Sequence, residues 1–252
     1  GGLFIYTLTN FESRATIDVD FLLRNFSNSI DDVKELVEKI INTPTGNDYI
    51  LMTAKGFEEI SPQRKYHGIS AQIIGQIKNV RIPFNVDIGV GDVIVPQAEQ
   101  RTINTQLPDF ETPIIKTYSL ESTIAEKFDA ILQRFELTGR MKDFYDIYYL
   151  ARTFDFDGAK LQTAIFETLQ RRGTSYNRDS FKRIIGLADD TDMQKRWRYF
   201  LKNVKDDTLE LSTVIEEIRI FLEPVFDAII NEEEWLEPWI SQNNMWITLN
   251  ER

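Results

Sequence analysis

The chain has 252 residues, 42% apolar and 27% charged, enough to bury one large core or two modest ones, which excludes a coiled coil or a disordered tail. Its 29 Lys and Arg face 40 Asp and Glu, a net charge of −11, so neither a general nucleic-acid coat nor a polybasic membrane anchor fits. With no cysteine and one histidine, His67, disulfide frameworks, thiolate zinc sites, Cys nucleophiles and His-rich metal clusters are excluded, and any chemistry rests on carboxylates, Lys, Arg and hydroxyls. No stretch approaches the roughly 20 apolar residues that span a bilayer, and the first residues lack the pattern of a signal peptide. The sequence reads as that of a soluble, cytoplasmic protein.

Over residues 14–22, Ile17, Val19 and Phe21 alternate with Thr16, Asp18 and Asp20. This period of two predicts a strand with one buried face and both aspartates on the other. Ser27, Asn28 and Ser29 offer helix caps, and Val33, Leu36, Val37, Ile40 and Ile41 form a helical stripe that stops before Thr43-Pro44. A short strand is predicted over 47–53. Residues 69–77 and 80–88 read as two strands joined at Lys78-Asn79, the spacing of a tight hairpin. In the second, Val80, Ile82, Phe84, Val86 and Ile88 share one face, and Asp87 lies on the other. Pro83 lacks a ladder donor, which predicts an edge or a bulge there. His67, within Arg64-Lys65-Tyr66-His67-Gly68, reads as a turn residue, with contact to a phosphate or a base as the alternative.

After a Pro-containing connection over 97–118, the period changes to 3.6 and predicts helices over 120–135, 141–153, 158–171, 178–187, 191–202 and 208–230, with Pro224 bending the last. The fold class is therefore α+β, with a mixed sheet and flanking helices in the amino-terminal half and an all-helical carboxy-terminal half. The expected domains are 1–118 and 119–252. Charge divides unevenly between segments. Residues 171–205 carry ten Lys and Arg against four Asp, whereas 206–252 carry two against twelve Asp and Glu. The basic block, with Arg196, Arg198 and Lys202 and with Tyr176, Trp197 and Tyr199 available for stacking, reads either as an RNA-facing patch or as helical surface balanced by the acidic tail.

Two carboxylates one residue apart on a strand lie about 6–7 Å apart at Cα on one face, and with a third from a neighbouring strand they can bracket hard cations. Asp18, Asp20 and Asp87 are such a set, able to hold Mg²⁺ (or Mn²⁺) against a nucleoside triphosphate. On the helix over 120–135, Ile124, Phe128, Ile131, Leu132 and Phe135 form the buried stripe, with Lys127 at its flank. On the next helix Phe144, Ile147, Tyr148 and Ala151 form the stripe, with Asp143 at its flank and Asp146 nearly opposite. The choice between Asp143 and Asp146 favours Asp143, and a purely structural pairing of Lys127 with Asp143 stays open.

Gly1-Gly2 before Asp18-Val19-Asp20, followed by Asp87 on a later strand, resembles the nucleotidyltransferase superfamily. The series Arg14-Ala15-Thr16-Ile17-Asp18-Val19-Asp20-Phe21, Asp87-Ile88-Gly89-Val90-Gly91-Asp92, Ala125-Glu126-Lys127 and Arg140-Met141-Lys142-Asp143-Phe144-Tyr145-Asp146-Ile147-Tyr148 is similar to the ordered motifs of the AbiEii nucleotidyltransferase toxin family. That family has a helical segment before the Gly pair, so Gly1-Gly2 is expected to be native motif with the chain truncated ahead of it. Leu3 stands where many relatives have Ser or Thr, which removes a hydroxyl contact to phosphate.

The resemblance implies a metal-dependent transfer of NMP from an NTP to an acceptor hydroxyl. In that reading Asp18, Asp20 and Asp87 are the metal ligands, Gly1, Gly2, Arg14, Thr16 and Lys127 meet the nucleotide, and Asp143 or Asp146 orients Lys127 or the base. It also implies a toxin acting on RNA, with tRNA 3′ ends as the acceptor in some relatives, a cognate antitoxin and a part in phage defence. Domain 1–118 would then be the nucleotidyltransferase core, and 119–252 would complete the cleft. The alternatives are a silent nucleotide- or RNA-binding module of the same fold, and a carboxylate-dependent nuclease, in which the Gly pair has no purpose.

Overall fold

The polar/apolar alternation of the amino-terminal half folds into a four-stranded mixed sheet. In the computed structural model, which describes residues 1–27, 29–46, 48–60, 68–90, 96–107, 109–204 and 208–248, its strands are β1 (Asp18–Leu23), β2 (Ile50–Ile60), β3 (Gly68–Ile77) and β4 (Val80–Val90). The order is β1-β4-β3-β2, with β1 parallel to β4 and the other pairs antiparallel. Two helices accompany it, α1 (Gly2–Leu8) and α2 (Ile30–Ile41). Val33 and Val37 of α2 bury themselves against Ile69, Ala71, Ile73, Val86, Ile88 and Val90, so one face of the sheet is core. Asp31 and Asp32 in the first turn of α2 meet the positive end of its dipole.

Several expectations for this part change. α1 has no counterpart in the periodicity. β1 starts at Asp18 rather than residue 14, and Ile17 and Phe21 are exposed, leaving Val19 and Leu23 to pack inward. β2 runs to Ile60, with a register shift between Ala54 and Gly56. The hairpin at Lys78-Asn79 forms as predicted, Lys78 taking the left-handed conformation at φ 51. Pro83 sits in an interior strand, yet β1 pairs with β4 only from Asn85 onward, so Pro83 lies on the open stretch where no donor is required. His67, Gly91, Asp92 and Lys205 lie outside the described residues.

The chain divides into two units, Gly1–Val93 and Ile94–Arg252. The connection over 97–118 falls in the second and is a two-stranded ribbon, β5 (Glu99–Thr102) with β6 (Ile114–Thr117). Then come α3 (Leu120–Arg134), a 3₁₀ turn, α4 (Met141–Thr153), β7 (Phe156–Asp157), α5 (Gly158–Arg172), α6 (Asp179–Gly186), α7 (Thr191–Leu201), α8 (Leu211–Asn231), β8 (Pro238–Ile240) and β9 (Met245–Trp246). The carboxy-terminal half is therefore not all-helical, because β7, β8 and β9 form a second small sheet. Helix starts follow local chemistry: Ser119 accepts from the Ser122 amide, Asp157 from Lys160, and Asp190 from Asp192 and Met193. Gly173 closes α5 in the left-handed conformation. α8 continues through Pro224 and supplies the central apolar ridge, with Val214, Ile218, Phe221, Leu222, Val225 and Phe226 fully buried. Among the described residues no helix is long and apolar enough to cross a membrane.

Candidate active site

In the first unit the parallel pairing of β1 and β4 sets the carboxylates. Asp20 is the register partner of Asp87, and Asp18 that of Asn85. Neighbouring partners on paired strands point to the same face, so Asp18, Asp20, Asn85 and Asp87 share the face opposite the core. Across the other edge of β4, Ser70 is the partner of Asp87 and donates its hydroxyl to Asp87 Oδ1 at 2.5 Å. Ser70 was legible only as a polar position in the alternation of β3, where it shares a face with Gln72.

The amino-terminal glycines close on the same place. The Gly1 nitrogen lies 3.9 Å from Asp20 Oδ2, and a Cβ built on Gly1 would collide with that carboxylate. A Cβ on Gly2 would come to 3.0 Å from Thr16 Oγ1 and 3.2 Å from Arg14 Nη2. Thr16 Oγ1 accepts from the Asp18 amide at 3.3 Å and so fixes the entry to β1. Gly1, Gly2, Arg14, Thr16 and Asp20 are thus brought together, with Asp87 on the adjoining strand.

The donor set suits a hard divalent cation, since it consists of carboxylate oxygens on adjacent positions of one sheet face. Among the described residues no three His, Asp or Glu side chains are drawn into a metal-holding group. Asp87 turns one oxygen to Ser70 and Asp20 turns one toward Gly1.

In the second unit α3 and α4 hold a buried charge cluster. Lys127 Nζ lies 2.6 Å from Asp146 Oδ2 and 3.3 Å from Asp143 Oδ1, and Arg140 Nε donates to Asp143 Oδ2 at 2.5 Å. Asp143 is 0% and Asp146 1% exposed, and Lys127 is buried with them. The expectation that Asp146 faces away from the buried stripe is therefore wrong. α4 packs against α3, α7 and α8, and these neighbours together cover the side that carries Asp146 as well as the apolar stripe, leaving Arg152 and Thr153 exposed. Arg140, passed over as a site residue, completes the cluster. A further buried carboxylate that periodicity missed, Asp129 on α3, accepts from Arg172 at 3.1 Å and from Gln133 at 2.8 Å, and also takes the Thr174 hydroxyl.

The family model for the nucleotidyl transferase AbiEii toxin of type IV TA systems matches residues 1–232. The chain belongs to the AbiEii family. The match extends past the last of the ordered motifs, which ends at Tyr148, through the end of α8. AbiEii members are nucleotidyltransferase toxins of type IV toxin–antitoxin systems, a class that takes NTP and a divalent metal. Among solved structures, JHP933 from Helicobacter pylori is similar at 14% identity over 88% of this chain and 83% of that one, with a TM-score of 0.43. A second H. pylori protein, whose name marks it a proposed nucleotidyltransferase, is similar at 14% identity over 91% and 86%, with a TM-score of 0.41. No curated protein matches the chain.

Proposed function

We propose that the protein transfers NMP from an NTP to an acceptor hydroxyl on RNA, with a tRNA 3′ end as the acceptor, and acts as the toxin of a toxin–antitoxin pair in phage defence. The reading rests on one observation above the others: Asp20 and Asp87 are side-by-side partners on parallel strands, with Asp18 two residues away, Gly1 pressed against Asp20 and Gly2 against Thr16 and Arg14. Asp18, Asp20 and Asp87 would hold Mg²⁺, which when bound supplies charge to the triphosphate. The backbone around Gly1 and Gly2, with Arg14 and Thr16, receives phosphate oxygens. Ser70 fixes Asp87 through Oδ1, which leaves Oδ2 either to complete the metal site or to accept the proton of the acceptor hydroxyl. The acceptor oxygen forms its bond to the α-phosphorus as the bond to pyrophosphate breaks. Lys127, oriented by Asp143 and Asp146, is assigned to triphosphate charge.

Incubation with Mg²⁺, each labelled NTP and total tRNA tests this. Extended RNA supports transfer, unaltered RNA that stays bound supports the silent module, and cut RNA supports a nuclease. Asp18→Asn and Asp20→Asn each keep the side-chain shape and lose the charge, so each is expected to lower transfer by about 100-fold or more with the fold intact. Wild-type turnover by either variant removes the proposal.

A further inference from the structure

The cations of residues 171–205 are not equivalent. Arg172 is spent on Glu126 and Asp129, Lys182 and Lys195 pair with Asp179 and Asp192 one turn away, and Arg183 lies over the Phe135 ring at 4.1 Å. Arg171 and Arg178 are held by Glu167 and Asn231. Arg196 Nη1 donates to the Thr138 carbonyl at 2.8 Å. Two cations at the carboxy-terminal end of α7 remain without a carboxylate among the described residues, Arg198 and the capping residue Lys202, spaced one turn apart.

Between them stands Tyr199. Met193, Trp197 and Leu201 form the buried stripe of α7, and Trp197, 1% exposed, is closed to any ligand, with its indole N–H donating to the Leu209 carbonyl. Tyr176 is turned against Phe226. Tyr199 is 71% exposed, and Lys202 Nζ lies 5.8 Å from its ring centre. An exposed aromatic ring with two cations about 6 Å apart along the helix axis offers a stacking face for a flat base and charge for its phosphates.

We infer that the Arg198–Tyr199–Lys202 ridge of α7 binds single-stranded RNA, with Tyr199 stacking on a base and the two cations on its neighbouring phosphates. The inference rests on the proposed function only for the choice of RNA. Charge complementarity selects the occupant: in a chain of net charge −11 this ridge offers cations, whereas the segment after it is strongly acidic.

The test is binding of a fluorescein-labelled single-stranded 12-mer RNA to the full chain, by anisotropy, in EDTA and without NTP, so that it does not depend on transfer. Tyr199→Ala is expected to weaken binding about tenfold with the salt dependence unchanged, and Tyr199→Phe to stay within about twofold of wild type. Arg198→Ala and Lys202→Ala are each expected to reduce the slope of log affinity against log salt by about 0.7. Wild-type affinity in Tyr199→Ala overturns the inference. So does displacement of the RNA by polyglutamate at equal charge concentration, which would make the ridge a plain ion exchanger, and so does absence of RNA binding by the wild type. Extended tRNA together with unaltered Tyr199→Ala binding would sink the ridge and leave the transfer standing; bound RNA together with inactive enzyme would do the reverse.

Discussion

Lys127 is held between two carboxylates that are themselves sealed from water, and this decides what its removal does. Truncation leaves Asp143 and Asp146 with less compensating charge in a place where water cannot reach them. Lys127→Ala is therefore expected to lower unfolding stability by about 3–5 kcal/mol in urea titrations, whatever its part in the reaction. The assignment to triphosphate charge adds a second outcome, weaker NTP binding by calorimetry in the folded protein. Unchanged NTP affinity would leave Lys127 a structural partner alone. Gly1 poses the opposite case. The Cβ added by Gly1→Ala meets Asp20 at Oδ2, at Cγ and, at 2.9 Å, at Cβ, so the carboxylate turns away and Gly1 itself shifts slightly, with the rest of the fold spared. Stability should move by less than about 0.5 kcal/mol, while Mn²⁺ affinity, read by paramagnetic resonance, falls. Mn²⁺ binding equal to wild type would show that Asp20 holds no metal.

At the scale of elements, the sequence was most readable where one face is core and the other is water. β4 alternates cleanly because α2 covers Val86, Ile88 and Val90 and leaves Asp87 outside, and α4 ends at the residues its periodicity marks. That Asp87 lies on the same kind of polar face as Asp18 and Asp20 was readable from the matching polarity of the two strands, although nothing local could show that β1 runs parallel to β4 and sets Asp20 beside Asp87. Readability failed where burial is not one-sided. α4 is enclosed from several sides, so the helical wheel misplaced Asp146. The ribbon of β5 and β6 and the sheet of β7, β8 and β9 have strands of two to four residues, too short for a period to show, and are held by pairing between distant segments. Ser70 belongs to the same class, because its importance comes from its partner across the ladder and not from its neighbours in sequence.

For the whole molecule, the family match stops at residue 232, yet the second unit is fastened by the segment beyond that residue. Trp239 is fully buried, donates its indole N–H to the Ala151 carbonyl at 2.7 Å, and packs on Phe221 with ring centres 4.9 Å apart. Trp246 stacks on Phe221 and donates to its carbonyl at 3.0 Å. Gln162 ties the same segment to α5 at both the Glu233 carbonyl and the Trp235 amide, and Ser241 ties it to Asp155. Gly158 is needed beneath it, since a Cβ there would strike the Glu237 carbonyl. Truncating one buried Trp costs about 3–5 kcal/mol, and domain stabilities are about 5–15 kcal/mol. A chain ending at Glu232 would lose Trp239 and Trp246 together and uncover Phe221. Its second unit should lose cooperative unfolding, seen as collapse of the near-ultraviolet circular dichroism and of the urea transition. Trp239→Phe keeps most of the apolar area and loses one hydrogen bond, so it should cost only about 1–2 kcal/mol. A truncated chain with the urea midpoint of the full one would show that residues 233–248 decorate the fold and that α8 is stable without them.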